Sequence, residues 1–458
     1  MPDFDLAVIG SGPGGYVSAI HAARKGARVA VVEQSPSMWG GTCLNVGCIP
    51  TKTLVQSAEV FKVVGHAGEF GVKCAPPVAD WAAMQARKDR VVAGMRQGVQ
   101  GLLKSNGVEM VQGRGRLAGP GRVVVDGREL GSRSVILAPG SAPAVPPIPG
   151  AELALTSDGL LAIDHIPSSL AVIGGGVVGM EFAGIFSLLG TRVTVIEMQD
   201  HLLTPLDRDV AARFQQLMAK RGIDFRLGAR VEAVERSAAG FRVRFSGAEV
   251  EAEQVLVSTG RRPSTAEMGL EEAGVELDRA AIKVDQHLQT SLAGVYAIGD
   301  ATMISMLAHT ASYQGEIAVA NALGERRISA DYSTIPGAIY TDPEIAYVGL
   351  TEAAAKAAGQ TVRVGSFPFS ALGRAMVIGE TAGLVKVVAD QEGYLLGVTI
   401  MGPRATDLIA EAVLALNQGI TAAELSQAVH AHPTLPEALA EAALDVEGRA
   451  VHIAPRKR

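Results

Sequence analysis

Residues Leu6 to Glu33 read LAVIGSGPGGYVSAIHAARKGARVAVVE, and residues Leu170 to Glu197 read LAVIGGGVVGMEFAGIFSLLGTRVTVIE. The two stretches align without a gap, and nearly half of their positions are identical. Each is an apolar run, a glycine-rich turn, a helix-length amphipathic stretch and a second apolar run ending in glutamate. That order predicts a βαβ unit with a dinucleotide-binding turn. Gly10 and Gly174 permit the tight turn after the first strand. Gly12 and Gly176 let the backbone approach a pyrophosphate. Gly15 and Gly179 let the helix lie close against the strand. The helix N-terminus then offers free N–H groups and the positive end of its dipole to the phosphates. Glu33 and Glu197 stand where a carboxylate can accept hydrogen bonds from the hydroxyls of an adenosine ribose. One glycine-rich turn is a weak signal. Two, each with a strand before, a helix after and an acid at the close, are a strong one. Two units predict two dinucleotides, of which FAD and a nicotinamide cofactor are the simplest pair. Glu197 is followed by Met198, Gln199 and Asp200 with no basic residue, so NAD is expected rather than NADP, whose 2′-phosphate a carboxylate repels.

The chain has 458 residues, enough for roughly three domains. Its 48% apolar and 19% charged residues, rich in Gly, Ala and Val, suit a compact α/β protein with large cores. The net charge is -6 and the only basic run is the tail Arg456-Lys457-Arg458, read as a solvated end, so no nucleic-acid partner is expected. No apolar run approaches about 18 residues, so no membrane span is expected. Leu6 to Ala23 is apolar like a signal-peptide core, but it lacks a basic segment before it and carries glycines in its middle. Asp80 to Ser105 is helix-like, with Trp81, Met84, Val91, Met95, Val99 and Leu102 at helical spacing, a stripe expected to face the core. APGSAPAVPPIPG, Ala138 to Gly150, reads as a domain crossover. Past Ile339 come short strands (Leu384 to Val388, Leu395 to Ile400) and then helices (Thr406 to Gln418, Thr421 to Val429), which indicate a separate α+β domain. The expected fold is α/β, with two Rossmann-like dinucleotide domains and a C-terminal α+β domain. The expected division is 1–147 for the first dinucleotide domain, 148–276 for the second, 277–337 for a return to the first, and 338–458 for the C-terminal domain.

Two of the three cysteines lie in GGTCLNVGCIPTK, Gly40 to Lys52, with four residues between Cys43 and Cys48. Three cysteines in a chain this long are no disulfide framework, and a reducing, cytoplasmic compartment is expected. Residues five apart in a regular helix have Cα atoms about 8 Å apart, beyond the roughly 7 Å reach of a disulfide. A bridge here needs a loop or a distorted first turn, with which Gly47 and Pro50 are consistent. Zinc wants about four ligands and no second cysteine pair exists, so no metal is expected. Inert thiols, a redox pair and metal ligands are the readings the spacing leaves open, and a flavin-binding unit just upstream favours the redox pair. Cys74 stands alone and is expected to be buried or inert. Thiol–disulfide exchange needs a base, because the thiolate is the nucleophile. VHAHPTLPEALAEAAL, from Val429, offers His430, His432 and Glu437; a histidine titrates near neutral pH, and a carboxylate can hold its ring in one tautomer. Thr434 to Glu437 also reads as an S/T-x-x-E capping box, a structural alternative for Glu437.

Taken together, the chain resembles the pyridine nucleotide–disulfide oxidoreductases from about Phe4 to Val446. The resemblance is carried by GGTCLNVGCIPTK, both glycine turns, STGRRP (Ser258 to Pro263), YAIGD (Tyr296 to Asp300), MLAHTASYQG (Met306 to Gly315), IYTDPEIAYVG (Ile339 to Gly349) and HAHPTLPEA. MLAH and HAHPTL point to the branch that oxidises dihydrolipoamide with NAD. The resemblance implies a Cys43–Cys48 redox disulfide, with Cys48 facing the flavin and Cys43 exchanging with substrate. It implies His432 as acid–base residue with Glu437 orienting it, and a Lys52–Glu181 pair beside the flavin. FAD would be held by the Gly10, Gly12 and Gly15 turn, Glu33, Gly41, Thr42, Lys52, Gly115, Gly140, Ser141, Asp300 and the run Met306, Leu307, Ala308, His309. NAD would be held by the Gly174, Gly176 and Gly179 turn, Glu181, Glu197, Val231 and Gly260. A homodimer is implied, its histidine reaching the other subunit's disulfide. The implied partner is the lipoyl-bearing acyltransferase of a 2-oxo acid dehydrogenase complex or the carrier protein of glycine cleavage. Two departures stand out: Pro139 replaces a threonine common in relatives, and Pro436 a serine. The rival readings are a glutathione reductase-like enzyme, which prefers NADPH, a mercuric reductase-like enzyme, whose C-terminal cysteine pair is absent here, and a structural or NADH-sensing subunit of a larger assembly.

Overall fold

A computed structural model describes residues 2–324 and 327–454. The basic tail Arg456 to Arg458 lies outside the described residues. The first repeat forms strand Phe4–Ile9, helix Pro13–Arg24 and strand Val29–Glu33. The strands pair in parallel with Leu6 opposite Val29 and Ile9 opposite Val32. Both are covered on both faces, which is why they read as continuous apolar runs rather than alternating ones. Strand Glu109–Gln112 joins beyond Val29–Glu33, and strands Arg128–Leu137 and Val295–Ala297 join on the other side, all in parallel. The N-terminal half of Arg128–Leu137 instead pairs antiparallel with Arg122–Val125, which continues into Gly115–Gly119.

The second repeat forms strand Ser169–Ile173, helix Val177–Leu188 and strand Arg192–Ile196, in a parallel sheet completed by Asp224–Arg226 and Gln254–Val257. A three-stranded antiparallel sheet, Val231–Ser237, Gly240–Phe245 and Ala248–Ala252, covers one side. The Pro-rich crossover does link the two units: Ser141–Pro143 pairs antiparallel with Arg261–Pro263. The C-terminal region is a five-stranded antiparallel sheet, ordered Gly337–Ile339, Glu344–Gly349, Leu395–Gly402, Leu384–Ala389 and Arg363–Pro368. Helices Ala405–Asn417 and Glu437–Asp445 pack against it. The architecture is the expected one, two Rossmann-like units and an α+β region. Among the described residues no helix is long and apolar enough to cross a membrane.

Two expectations need correction. Helix Trp81–Ser105 begins as anticipated, with Asp80 Oδ1 accepting the Ala83 N–H at 2.9 Å. Its buried face, however, runs Trp81, Lys88, Val92, Val99 and Leu103, while Met95 and Leu102 of the expected stripe are exposed. Lys88 takes a core position because its stem packs while its ammonium donates to the Leu161 carbonyl at 2.9 Å. Cys74, expected to be buried or inert, is exposed on the segment after helix Cys48–Gly65, which overturns the first alternative only.

Candidate active site

A single cleft of about 1780 Å³ runs between the two repeats. It is lined by Gly10, Gly12 and Glu33 of the first and by Gly174, Gly176 and Glu197 of the second. The two turns are built alike. Gly10 has φ +102 and Gly174 φ +111, where a side chain would be strained and would also fall on the carbonyls of Ala138 and Ser258. Gly15 and Gly179 lie behind the turns, each where a Cβ would strike the carbonyl of Gly10 or Gly174. Neither helix has a side-chain cap, so the N–H groups after Gly12 and Gly176 are left for a ligand.

The closing glutamates are pre-oriented. Glu33 accepts from the Ser11 N–H at 3.2 Å, the Ser11 hydroxyl at 2.6 Å and the Ser35 N–H at 3.3 Å. Glu197 accepts from Gly175 N at 2.6 Å and Gln199 N at 2.7 Å. Each carboxylate keeps acceptor capacity toward the cleft. A Cβ on Gly12 would stand 3.8 Å from the Gly41 Cα, so the cysteine segment closes over the first turn. The cradle fits one dinucleotide on each turn, the first roofed by its own chain.

Gly140, Ser141, Asp300, Met306, Leu307, Ala308 and His309 also line the cleft on the side of the first turn, and Val231 and Gly260 on the side of the second. Gly41 and Thr42 line it beside the cysteines. Gly115 does not; its Cβ position stands 3.1 Å from both Ile9 and Val32 in the core. Arg261, quoted in the sequence motif but given no role, binds this wall together. Its Nε donates to Ser141 Oγ at 2.7 Å and its Nη2 to the Ser141 carbonyl at 2.7 Å, while the Ser141 hydroxyl donates to Asp300. Only a contact 120 residues long reveals that role.

The cysteines sit where the chain breaks. Gly41–Val46 is a short helix, Gly47 turns away with φ -133 and ψ -118, and Cys48–Gly65 is a long helix. This is the distortion a Cys43–Cys48 contact demands. A Cβ at Gly47 would stand 2.8 Å from the Thr42 carbonyl and 3.1 Å from the Cys43 Cα. Pro50 falls in the first turn of the long helix, where its missing N–H is harmless. Asn45 donates to the carbonyls of Trp39 and Gly41 and accepts from Arg96 at 2.8 Å, pinning the short helix to Trp81–Ser105.

Cys43 and Cys48 are free thiols, hydrogen-bonded to one another. The pair is electrostatically unequal. Cys48 opens onto the cleft; the hydrogen bond from Cys43 pulls it well below an ordinary thiol, against the partial desolvation of the cleft wall, and Lys52 one helical turn away adds to it. The same hydrogen bond and burial push Cys43 up. Lys52 Nζ donates to both oxygens of Glu181, at 2.8 and 2.7 Å. Glu181 comes from helix Val177–Leu188 and is 4% exposed. Tyr340 completes this corner: its N–H donates to Glu181 at 3.0 Å and Lys52 lies 4.7 Å from its ring centroid.

His432 and Glu437 are bonded, Nδ1 to Oε1 at 2.8 Å, but neither lines the cleft of its own chain. The His432 side chain is 78% exposed. The capping reading of Glu437 holds in part. Its other oxygen accepts the Thr434 N–H at 2.7 Å, but the Thr434 hydroxyl turns to the Ala431 carbonyl instead of capping the helix. Burial pushes Glu437 up, yet the Thr434 N–H and the His432 ring outweigh it and hold its carboxyl below the ordinary value. His430 is bonded instead to Glu411 at 2.8 Å and to the Ala428 carbonyl. Val429, between Ala428 and His430, is 99% exposed. Among the described residues no group of three or more His, Cys, Asp or Glu side chains is placed to hold a metal ion.

Comparison with known proteins agrees with this geometry. Residues 4–315 match the pyridine nucleotide-disulphide oxidoreductase family model, and 335–443 match the dimerisation domain of that family. The chain is 44% identical to a dihydrolipoyl dehydrogenase of Thermus scotoductus, with 100% of each chain covered. It is 40% identical to a dihydrolipoyl dehydrogenase of Bacillus subtilis, covering 98% of this chain and 99% of that one. Among solved structures it is similar to LpdA of Mycobacterium tuberculosis, at 31% identity and TM-score 0.89, covering 96% and 99% of the two chains. The HOCl-induced flavoprotein disulfide reductase RclA of Escherichia coli superposes with TM-score 0.88 at 29% identity, covering 96% and 99%. The repeated nucleotide turns, the paired thiols between them and these full-length matches agree: the chain belongs to the pyridine nucleotide–disulphide oxidoreductase family.

Proposed function

We propose that the chain is a dihydrolipoyl dehydrogenase, oxidising dihydrolipoamide to lipoamide while NAD⁺ becomes NADH. The observation that carries this is the unequal Cys43–Cys48 pair beside Lys52 and Glu181, in a cleft walled by both nucleotide turns. Full-length identity to dihydrolipoyl dehydrogenases supports the substrate. We carry forward the site residues expected from sequence and the division into segments 1–147, 148–276, 277–337 and 338–458 as parts of the same reading.

In this reading His432 removes a proton from one substrate thiol. The thiolate attacks Cys43 of the oxidised pair; the Cys43–Cys48 bond breaks and Cys48 leaves as thiolate, stabilised by Lys52. The second substrate thiol attacks the substrate sulfur of the mixed disulfide, and its proton passes to Cys43, which leaves as a thiol. Lipoamide departs, and His432 releases the first proton to solvent. Glu437 holds the His432 ring by Nδ1, which leaves Nε2 to exchange protons. Bound FAD supplies the two-electron path from the dithiol to NAD⁺. The first turn, Glu33, Ser141 and Asp300 would hold FAD; the second turn and Glu197 would hold NAD.

His432 lies off its own cleft, and the segment that carries it matches a dimerisation domain. A homodimer therefore suits the chemistry, each copy lending its histidine to the other's cysteines. A lipoyl-bearing acyltransferase or glycine-cleavage carrier would present the dithiol, in the cytoplasm. The test is purified protein with dihydrolipoamide and NAD⁺ against glutathione disulfide and NADPH. Activity in the first pair is expected; activity in the second pair alone overturns the substrate.

A further inference from the structure

Lys52 and Glu181 come from the first and second nucleotide-binding regions, yet the corner they form is finished by a residue from neither. Lys52 stands one turn after Cys48 on the same helix, so its stem leads the ammonium past the sulfur. Two of its three N–H bonds are spent on the two oxygens of Glu181. The remaining side of the ammonium faces the Tyr340 ring at 4.7 Å. Tyr340 belongs to the C-terminal region, just past strand Gly337–Ile339, and its N–H holds the same Glu181 oxygen, Oε1, at 3.0 Å. It lines the cleft together with Cys48, Lys52 and Glu181.

We propose that Tyr340 is a positioning residue: its ring forms the floor of the Lys52 ammonium, its N–H fixes Glu181, and together they set where the positive charge beside Cys48 stands. An aromatic face suits this place better than a second carboxylate. It attracts a cation through its quadrupole without adding charge, so Lys52 keeps a surplus for the thiolate. A second anion would offset that surplus and repel the sulfur. The phenol itself stays neutral, since burial raises it further from an already high value. The charged and titratable groups around the corner are Cys43, Cys48, Lys52 and Glu181, with Glu344 acting on Tyr340 through its charge. The inference rests on the thiol pair being the redox centre, but not on which dithiol it serves.

The experiment is a pH titration of the ultraviolet thiolate absorbance of Cys48 in the flavin-loaded Cys43→Ser protein. Each variant is measured against its own Cys48→Ser blank. Tyr340→Leu removes the ring and is expected to move the Cys48 midpoint up by about one pH unit. Tyr340→Phe keeps the ring and is expected to stay at the wild-type midpoint. An unmoved midpoint in Tyr340→Leu overturns the proposal, as does an equal rise in Tyr340→Phe, which would assign the effect to the hydroxyl. Tyr340→Met repeats the test with a more adaptable side chain. Failure of both ringless variants to fold, with Tyr340→Phe folded, makes the residue a packing element and also overturns it. The titration uses neither dithiol nor NAD⁺. A protein inactive on dihydrolipoamide but showing the shift therefore loses the functional reading alone.

Discussion

Glu181 and Glu437 each hold one nitrogen side chain, Lys52 and His432, in opposite surroundings. Glu181 is almost wholly buried and gathers Lys52 from 129 residues away and the Tyr340 N–H from 159 residues away. Glu437 grips an imidazole five residues away that is 78% exposed. A charge pair taken out of water has to be assembled by the whole fold, because each unmet hydrogen bond there is expensive. A base left in water can be oriented by one local turn. In a single chain the cysteine corner is therefore built from three regions, while His432 stands exposed outside the cleft.

The most severe way to break this contrast is to separate the halves. Cys48→Ser and His432→Gln are each expected to lower dithiol-driven NAD⁺ reduction to background. Mixed and reassociated, they should recover about a quarter of wild-type turnover, since half of the dimers are hybrids with one sound site of two. No recovery, with hybrids verified by mass spectrometry, would place His432 in its own chain's reaction.

Glu437→Gln tests the local half. Turnover should fall on the order of 10²-fold or more, because the ring loses its orienting anion. Thermal stability should change little, as the Thr434 N–H bond is part-buried and a glutamine oxygen can still accept it. A large drop in melting temperature without a kinetic effect would make Glu437 a helix cap and nothing else.

Glu181→Gln tests the assembled half and should register mainly as stability. Lys52 would keep its charge in a partly buried corner without an anion, at a cost of about 2 kcal/mol by chemical denaturation, below the range for fully buried pairs. Loss well under that would mean the corner is wetter than its geometry implies.

The smallest effect concerns Glu59, on the same helix as Lys52 but with no lysine of its own. Burial raises its carboxyl to about 7, with Glu344 and Asp342 adding to the rise and Arg404 offsetting part of it. The folded protein thus holds a proton that the unfolded chain releases near pH 4.5. Stability declines as pH rises from that value through about 7. Glu59→Gln should escape the decline, so that the two proteins diverge to about 1 kcal/mol by pH 8 after solvent screening. Parallel curves would remove Glu59 as the cause.

The legible parts of this molecule were the local ones. Buried parallel strands write themselves as unbroken apolar runs, and a turn at positive φ writes itself as glycine, so both nucleotide units could be read directly. The break at Gly47 was anticipated from the reach of a disulfide. The pairing of Lys52 with Glu181 was not local at all and came only through family resemblance. Tyr340 and Arg261 passed without a role, because nothing in their neighbourhoods announces a contact more than a hundred residues away. The stripe on Trp81–Ser105 failed for a different reason. Periodicity counts apolar residues, but Met95 and Leu102 lie on the wet face and the core accepted the stem of Lys88 in their stead. Cys74 shows the converse, a residue type usually interior left at the surface.

Gly47 carries a further lesson about how this protein can fail. With the Thr42 carbonyl and the Cys43 Cα pressed against the space a methyl group would need, added bulk there moves one sulfur away from the other while both nucleotide turns stay as they are. Such a protein would come off a column yellow, fold, and hold its nucleotides, yet its two sulfurs would no longer close on each other. Colour and melting curves would pass it as sound; a count of reactive thiols after mild oxidation, like a turnover assay, would expose the fault.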